Sequence, residues 1–101
     1  MIRHVVIWRL KEDAKPAGQI KDIELIRHIV AGLRDVIPGL LRLDLGINQL
    51  AIPDSADLLL YSEFESWQSL QEYEEHPLHS NLRALIGPLR AERRVVNYET
   101  S

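Results

Sequence analysis

Met1-Ile2-Arg3-His4-Val5-Val6-Ile7-Trp8-Arg9-Leu10 alternates with a period of two. Ile2, His4, Val6, Trp8 and Leu10 point one way; Arg3, Val5, Ile7 and Arg9 point the other. Apolar residues stand on both sides, so the stretch reads as a strand covered, at least in part, on both faces.

The rest of the chain is read outward from this strand. Residues 11–18 are polar and hold Pro16, which suits the first turn of a helix. Ile23, Ile26, Val30, Leu33 and Ile37 then recur at steps of 3 and 4, and Leu25, Ile29 and Val36 widen the stripe. This predicts an amphipathic helix of about five to six turns, ended by Pro38-Gly39. Residues 40–49 alternate again. Leu41, Leu43, Leu45 and Ile47 oppose Leu40, Arg42, Asp44, Gly46 and Asn48. Gly46 within that strand suggests a bulge or a close backbone approach. Pro53-Asp54-Ser55 signals a turn. Residues 57–65 make a third strand, with Leu58, Leu60, Ser62 and Phe64 on one face. Ser66 caps a helix through Tyr73 that buries Trp67, Leu70 and Tyr73. His76-Pro77 restarts the chain, and a helix through Leu82, Leu85 and Ile86 ends near Gly87-Pro88. Residues 94–99 form the last strand, with Val95 and Val96 on opposite faces.

Strand, helix, strand, strand, helical pair, strand is the split βαβ order. It predicts an α+β, ferredoxin-like βαββαβ fold with an antiparallel four-stranded sheet. The 101 residues fit one domain, 1–101. Helices on one face leave the other face bare and apolar, and such a patch marks an interface. The economical cover is a second copy. This predicts a homodimer packed sheet to sheet, closing an α/β barrel.

Composition narrows the function class. Lys and Arg number 12 against 15 Asp and Glu, a formal charge of −3, which argues against nucleic acid as the main partner. Arg83, Arg90, Arg93 and Arg94 form a local basic group, which a solvated helix end and edge strand account for. Cysteine is absent, so no disulfide or thiolate-metal site can form. No apolar run approaches the roughly 18–20 residues of a membrane span. The first residues also lack the pattern of a signal peptide. The expectation is a soluble, cytoplasmic protein with no membrane partner.

Chemistry is concentrated in Tyr73-Glu74-Glu75-His76-Pro77-Leu78-His79, with His4 near the N-terminus. His79 has two readings, a general base near neutral pH or a bond to a backbone carbonyl that holds the loop. His76, before a proline at a helix start, suits capping better than catalysis. Tyr73 can donate to a developing enolate oxygen, or pack half-buried with its hydroxyl on a backbone group. His4 shares a face with Val6 and Trp8 and is either a satisfied core group or a functional one. A small-molecule pocket between sheet and helices is expected, lined by Val6, Trp8, Leu58, Leu60 and Phe64, with His76 at its edge. Its polar groups would be His4, Tyr73 and His79. Glu72, Glu75, His76 and His79 do not make a metal site of the His-Glu-x-x-His kind, because Pro77 interrupts the helix. No Gly-rich phosphate loop or Gly-x-Ser-x-Gly elbow occurs. No metal and no cofactor are expected.

The chain resembles the stress-responsive A/B barrel (Dabb) domain family over nearly its whole length. The resemblance rests on Ile2-Arg3-His4-Val5-Val6, Ile37-Pro38-Gly39, Leu45-Gly46-Ile47-Asn48 and residues 57–64. It continues through Tyr73, His76-Pro77-Leu78-His79 and Arg94-Val95-Val96-Asn97-Tyr98. It implies a dimeric α+β barrel. One plant branch of the family, olivetolic acid cyclase, closes a linear polyketide by aldol condensation without metal or cofactor. By that resemblance Tyr73 and His79 would carry the proton transfers, and His4 would match the cyclase's first-strand histidine. Leu58 stands where that enzyme has a third-strand histidine, and the first helix is aliphatic where the plant pocket has aromatics. Both departures point away from the same substrate. The function expected is binding of a small, largely apolar molecule, with cofactor-free cyclase- or lyase-like chemistry. The alternative is a non-enzymatic structural or ligand-binding barrel.

Overall fold

The computed structural model describes residues 1–100. Among them, strands β1 (Ile2–Leu10), β2 (Leu40–Ile47), β3 (Leu58–Phe64) and β4 (Arg90–Glu99) form one sheet in the order β2-β3-β1-β4. All three pairings are antiparallel. The helices are α1 (Ile23–Leu33), α2 (Trp67–Glu75) and α3 (Pro77–Ile86). This is the ferredoxin-like α+β arrangement that the strand and helix order predicts.

The period-two pattern of β1 became alternating burial. Ile2, His4, Val6, Trp8 and Leu10 are buried under the helices, beside Leu58, Leu60, Ser62 and Phe64 of β3. Ile26, Val30 and Leu33 of α1, Leu70 and Tyr73 of α2, and Leu82 and Ile86 of α3 close the core from above. The opposite sheet face carries no helix. Val5, Ile7, Leu59 and Val96 stand at its centre, by strand register. Arg9–Glu92 and Arg42–Asp44 ion pairs flank them, at 2.9 and 2.6 Å. The face is therefore apolar at its centre and charged at its rim, not apolar throughout.

Several local expectations needed correction. Helix α1 has 11 residues, about three turns, instead of five to six. Pro16 opens a single 3-10 turn, and the left-handed Gly18 (φ 76°) and Asp22 (φ 61°) delay the helix to Ile23. At the other end, Ile37 precedes Pro38, whose ring disfavours α conformation in the residue before it. Val36 falls beyond the helix end and is exposed; Leu25 is within α1 but exposed because it lies about 100° from the stripe of Ile26, Val30 and Leu33. In β2 the irregularity lies between Leu40 and Arg42, not at Gly46, which pairs regularly with Leu59. The unpaired Leu41 is half exposed for that reason. Strand β4 starts at Arg90, four residues before the expected 94.

Ser66 caps α2 by accepting from Ser69 N at 3.1 Å. Trp67 is exposed although it was expected to be buried. The buried stripe of α2 is centred on Ser69, Leu70 and Tyr73, which leaves Trp67 roughly a third of a turn off it. Gly39, at φ 80° in the turn before β2, packs directly against Ser69 and lets α2 approach that closely.

Candidate functional site

The break at His76-Pro77 decides what the two histidines of His-Pro-x-His do. Proline has no N–H and its ring prevents α2 from continuing, so helix-end groups on both sides lose their partners. His76 answers the start of α3, its Nδ1 accepting from Leu78 N at 3.1 Å. It is a cap and does not reach the cavity described below. His79 answers the end of α2, its Nδ1 donating to the Glu74 carbonyl at 3.2 Å. Arg83 Nη2, one turn further along α3, donates to the same oxygen at 3.0 Å. A carbonyl only accepts, so Nδ1 of His79 carries the hydrogen and Nε2 keeps its lone pair. Burial is the main force lowering the His79 pKa, to about 4, with the charges of Arg83, His4 and Arg93 adding to it against the Glu74 bond. His79 is thus neutral at neutral pH.

Tyr73 sits beside it, the ring centroids 4.5 Å apart and the planes at 50°. The tyrosine is wholly buried, and its hydroxyl has no hydrogen-bond partner among the described residues. Burial raises the phenol pKa well above its usual value, so the group is a neutral donor. A buried polar group without a partner is uncommon and costs stability, which makes this hydroxyl the least expected feature of the core.

Both residues line a cavity of about 190 Å³ between sheet and helices. Val6, Trp8 and Leu60 form its floor; Leu82 and Ile86 form its α3 wall. Gly87 and the arginines 83, 90 and 93 complete the lining. The structure therefore brings together Val6, Trp8, Leu60, Tyr73 and His79 of the expected set. It places four others elsewhere. Phe64 lies at the far end of β3, opposite Ile2, and packs on the Tyr73 ring at 5.3 Å. Leu58 pairs with Trp8 and lines a shallow depression with Ile47 and Leu59. His76 is occupied as a cap. His4 stands behind Tyr73, with ring centroids 6.1 Å apart, and its Nδ1 contacts the Asn97 side-chain oxygen. Among the described residues, no three His, Asp or Glu side chains gather as a metal site would require.

The arginines were visible in the sequence but read as solvated charge. The only local hint was that Arg83 follows His79 by four residues on one helix, hence on one face. The places of Arg90 and Arg93 depend on strand register, which no local pattern shows.

No curated protein matches the sequence significantly. Similar solved structures exist. A dimeric ferredoxin-like protein of unknown function from Thermobifida fusca is 22% identical, with 98% of this chain and 90% of that one covered and a TM-score of 0.84. An antibiotic biosynthesis monooxygenase is 20% identical, with 100% and 99% covered and a TM-score of 0.79. A Dabb family protein with a ferredoxin-like fold from Mesorhizobium loti is 18% identical, with 99% and 96% covered and a TM-score of 0.74. At these identities the likeness establishes the fold. No helix among the described residues is long and apolar enough to cross a membrane. The sequence matches the family model of the stress responsive A/B barrel domain over residues 2–100, and the chain belongs to the Dabb family.

Proposed function

We propose that this chain is a homodimeric barrel that binds a small, largely apolar molecule in the cavity of each subunit and moves a proton on it without metal or cofactor. The carrying observation is the unpaired Tyr73 hydroxyl in the cavity wall beside a neutral His79. In this reading Nε2 of His79 takes the proton α to a carbonyl, and the Tyr73 hydroxyl donates to the enolate oxygen that forms. A base with a pKa of about 4 is weak, so the donor must raise the carbon acidity substantially, by stabilising the enolate. His4 acts through Tyr73, holding the ring from behind.

The test needs no natural substrate. Phenylacetone in D2O exchanges its α hydrogens only through the enolate, and NMR follows the loss of signal. Wild type should accelerate exchange above buffer, with an acid limb near pH 4 set by His79. His79→Asn, whose amide can still donate to Glu74, should lose about 10²–10⁴-fold of the acceleration. Tyr73→Phe should lose a comparable factor while melting no lower than wild type, because it deletes a buried hydroxyl that has no partner. Exchange no faster than buffer in wild type would end the proton-transfer reading.

A second reading has an observation of its own. Both histidines of the motif already satisfy helix ends, which is a structural use sufficient to explain them. Under this reading the barrel binds or stabilises but does not turn over. His79→Ala should then cost about 0.5–1.5 kcal/mol for the lost bond to the Glu74 carbonyl, which keeps Arg83 as its other donor, and His79→Asn should recover most of it.

The dimer part rests on the uncovered sheet face, where the apolar Val96 of the edge strand β4 is 57% exposed. The Thermobifida neighbour is itself described as dimeric. Sedimentation at micromolar concentration should give twice 11.6 kDa, and Val96→Glu should halve it. A wild-type monomer would remove the dimer.

A further inference from the structure

The proposed reading leaves the polar side of the cavity unexplained. Its walls include Arg83, Arg90 and Arg93 but no Asp or Glu. Among the described residues, none of these guanidinium groups has a carboxylate within ion-pair distance. Outside the cavity, Arg9, Arg27, Arg42 and Arg94 are paired with carboxylates, Arg34 donates to the Leu43 carbonyl, and Arg3, on the open sheet face, has no ion pair among the described residues.

The placement is built into the sheet. Residues 90 and 93 are an odd number apart, so a regular strand would send them to opposite faces. A register shift between Arg9 and Leu10 opposes Arg9 with Glu92 but Leu10 with Arg90, leaving Ala91 as the extra residue. Arg90 therefore shares the face of buried Leu10, and Arg93 shares the face of buried Trp8. Bulges of this kind re-aim side chains next to sites. Both arginines arrive on the helix side of the edge strand, at the cavity. Arg83 comes from α3 and is held there by the Glu74 carbonyl. The floor below them is Val6, Trp8 and Leu60.

An apolar floor with a cationic wall selects an amphipathic anion. We infer that the cavity's ligand carries a carboxylate or an equivalent anionic group, held by Arg90 and Arg93 with Arg83, while its apolar body rests on Trp8 and Leu60. The inference rests on the cavity being a ligand site, as proposed above. Two further features support it. The unpaired Tyr73 hydroxyl offers the same ligand a hydrogen bond. The charges of Arg83 and Arg93 already act on His79, which places both within electrostatic reach of the cavity interior.

Trp8 lies in the floor of the cavity and reports occupancy by its fluorescence, once the exposed Trp67 is removed as Trp67→Phe. Three probes of one shape are titrated into this protein: 3-phenylpropionate, 3-phenylpropanol and 3-phenylpropylamine. The acid should bind about tenfold or more tighter than the alcohol, the amine weakest, and the gap should shrink with added salt. In the Arg90→Gln/Arg93→Gln double variant the advantage of the acid over the alcohol should collapse. Equal binding of acid and alcohol in wild type overturns the anion inference and leaves the cavity reading standing. An advantage that survives in the double variant, or a preference for the amine, also overturns it. Failure of all three probes to change Trp8 fluorescence overturns the cavity reading itself, and the inference with it.

Discussion

Gly39→Ala should lower stability by about 2–5 kcal/mol, the largest loss expected from adding a single methyl group to this chain. Two costs combine. Gly39 sits at φ 80°, where an L side chain costs roughly 1–2 kcal/mol. A Cβ there would also overlap the Ser69 hydroxyl and lie 2.8 Å from the Ser69 Cβ, and overpacking of this kind costs about 1–3 kcal/mol. The thermal midpoint should fall by at least about 10 °C. The second cost has a specific cure. Adding Ser69→Gly should recover the steric part while leaving the backbone part, so the two changes should couple by more than about 1 kcal/mol in a double-mutant cycle. Strict additivity would mean that α2 is not held against this turn. The functional consequence follows from position. Ser69 is one turn before Tyr73 on α2, so pushing it away rotates Tyr73 out of the cavity wall.

Acid should weaken the fold through His79. Its pKa of about 4 lies below the ordinary value of 6.5, so the folded chain binds fewer protons at this site than the unfolded one. The stabilisation is complete above pH 6.5 and is lost as pH falls from 6.5 toward 4, after which no more is lost from this group. The displacement corresponds to roughly 2–3 kcal/mol across that window. Carboxylates titrate nearby, so the measurement is a difference. Urea unfolding of wild type and His79→Asn, at one fixed protein concentration, should be compared at pH 7, 5.5 and 4. Wild type should lose that amount relative to the variant. Parallel pH profiles would show that His79 is better solvated than its burial implies.

These two results concern different layers of the same protein, and the layers differ in how legible they were. What local sterics and solvent dictate was readable along the chain. The alternation of residues 2–10 and 58–64 determined which side of each strand enters the core. Ser66 and His76 could be read as caps because an N-cap needs only a nearby acceptor at a helix start. Pro77 announced the break between α2 and α3, and the order of elements implied the sheet. Tyr73, His79, Val6, Trp8 and Leu60 could be named for one pocket because their faces converge in that fold.

Tertiary structure decided what depends on register and on contacts between distant segments. The exposure of Leu41 needed the irregularity in β2 pairing, and that of Trp67 needed the seating of α2 on Ser69, Leu70 and Tyr73, with Ser69 against Gly39. His4 and Phe64 have the faces expected of them, but both end at Tyr73 and not at the cavity. Arg90 and Arg93 could not have been placed by periodicity, because one extra residue in β4 reverses the face of everything before it. Side-chain alternation is a property of one strand; register belongs to two strands at once. That is why the apolar half of this site was written in the sequence and its charged half appeared only in the folded sheet.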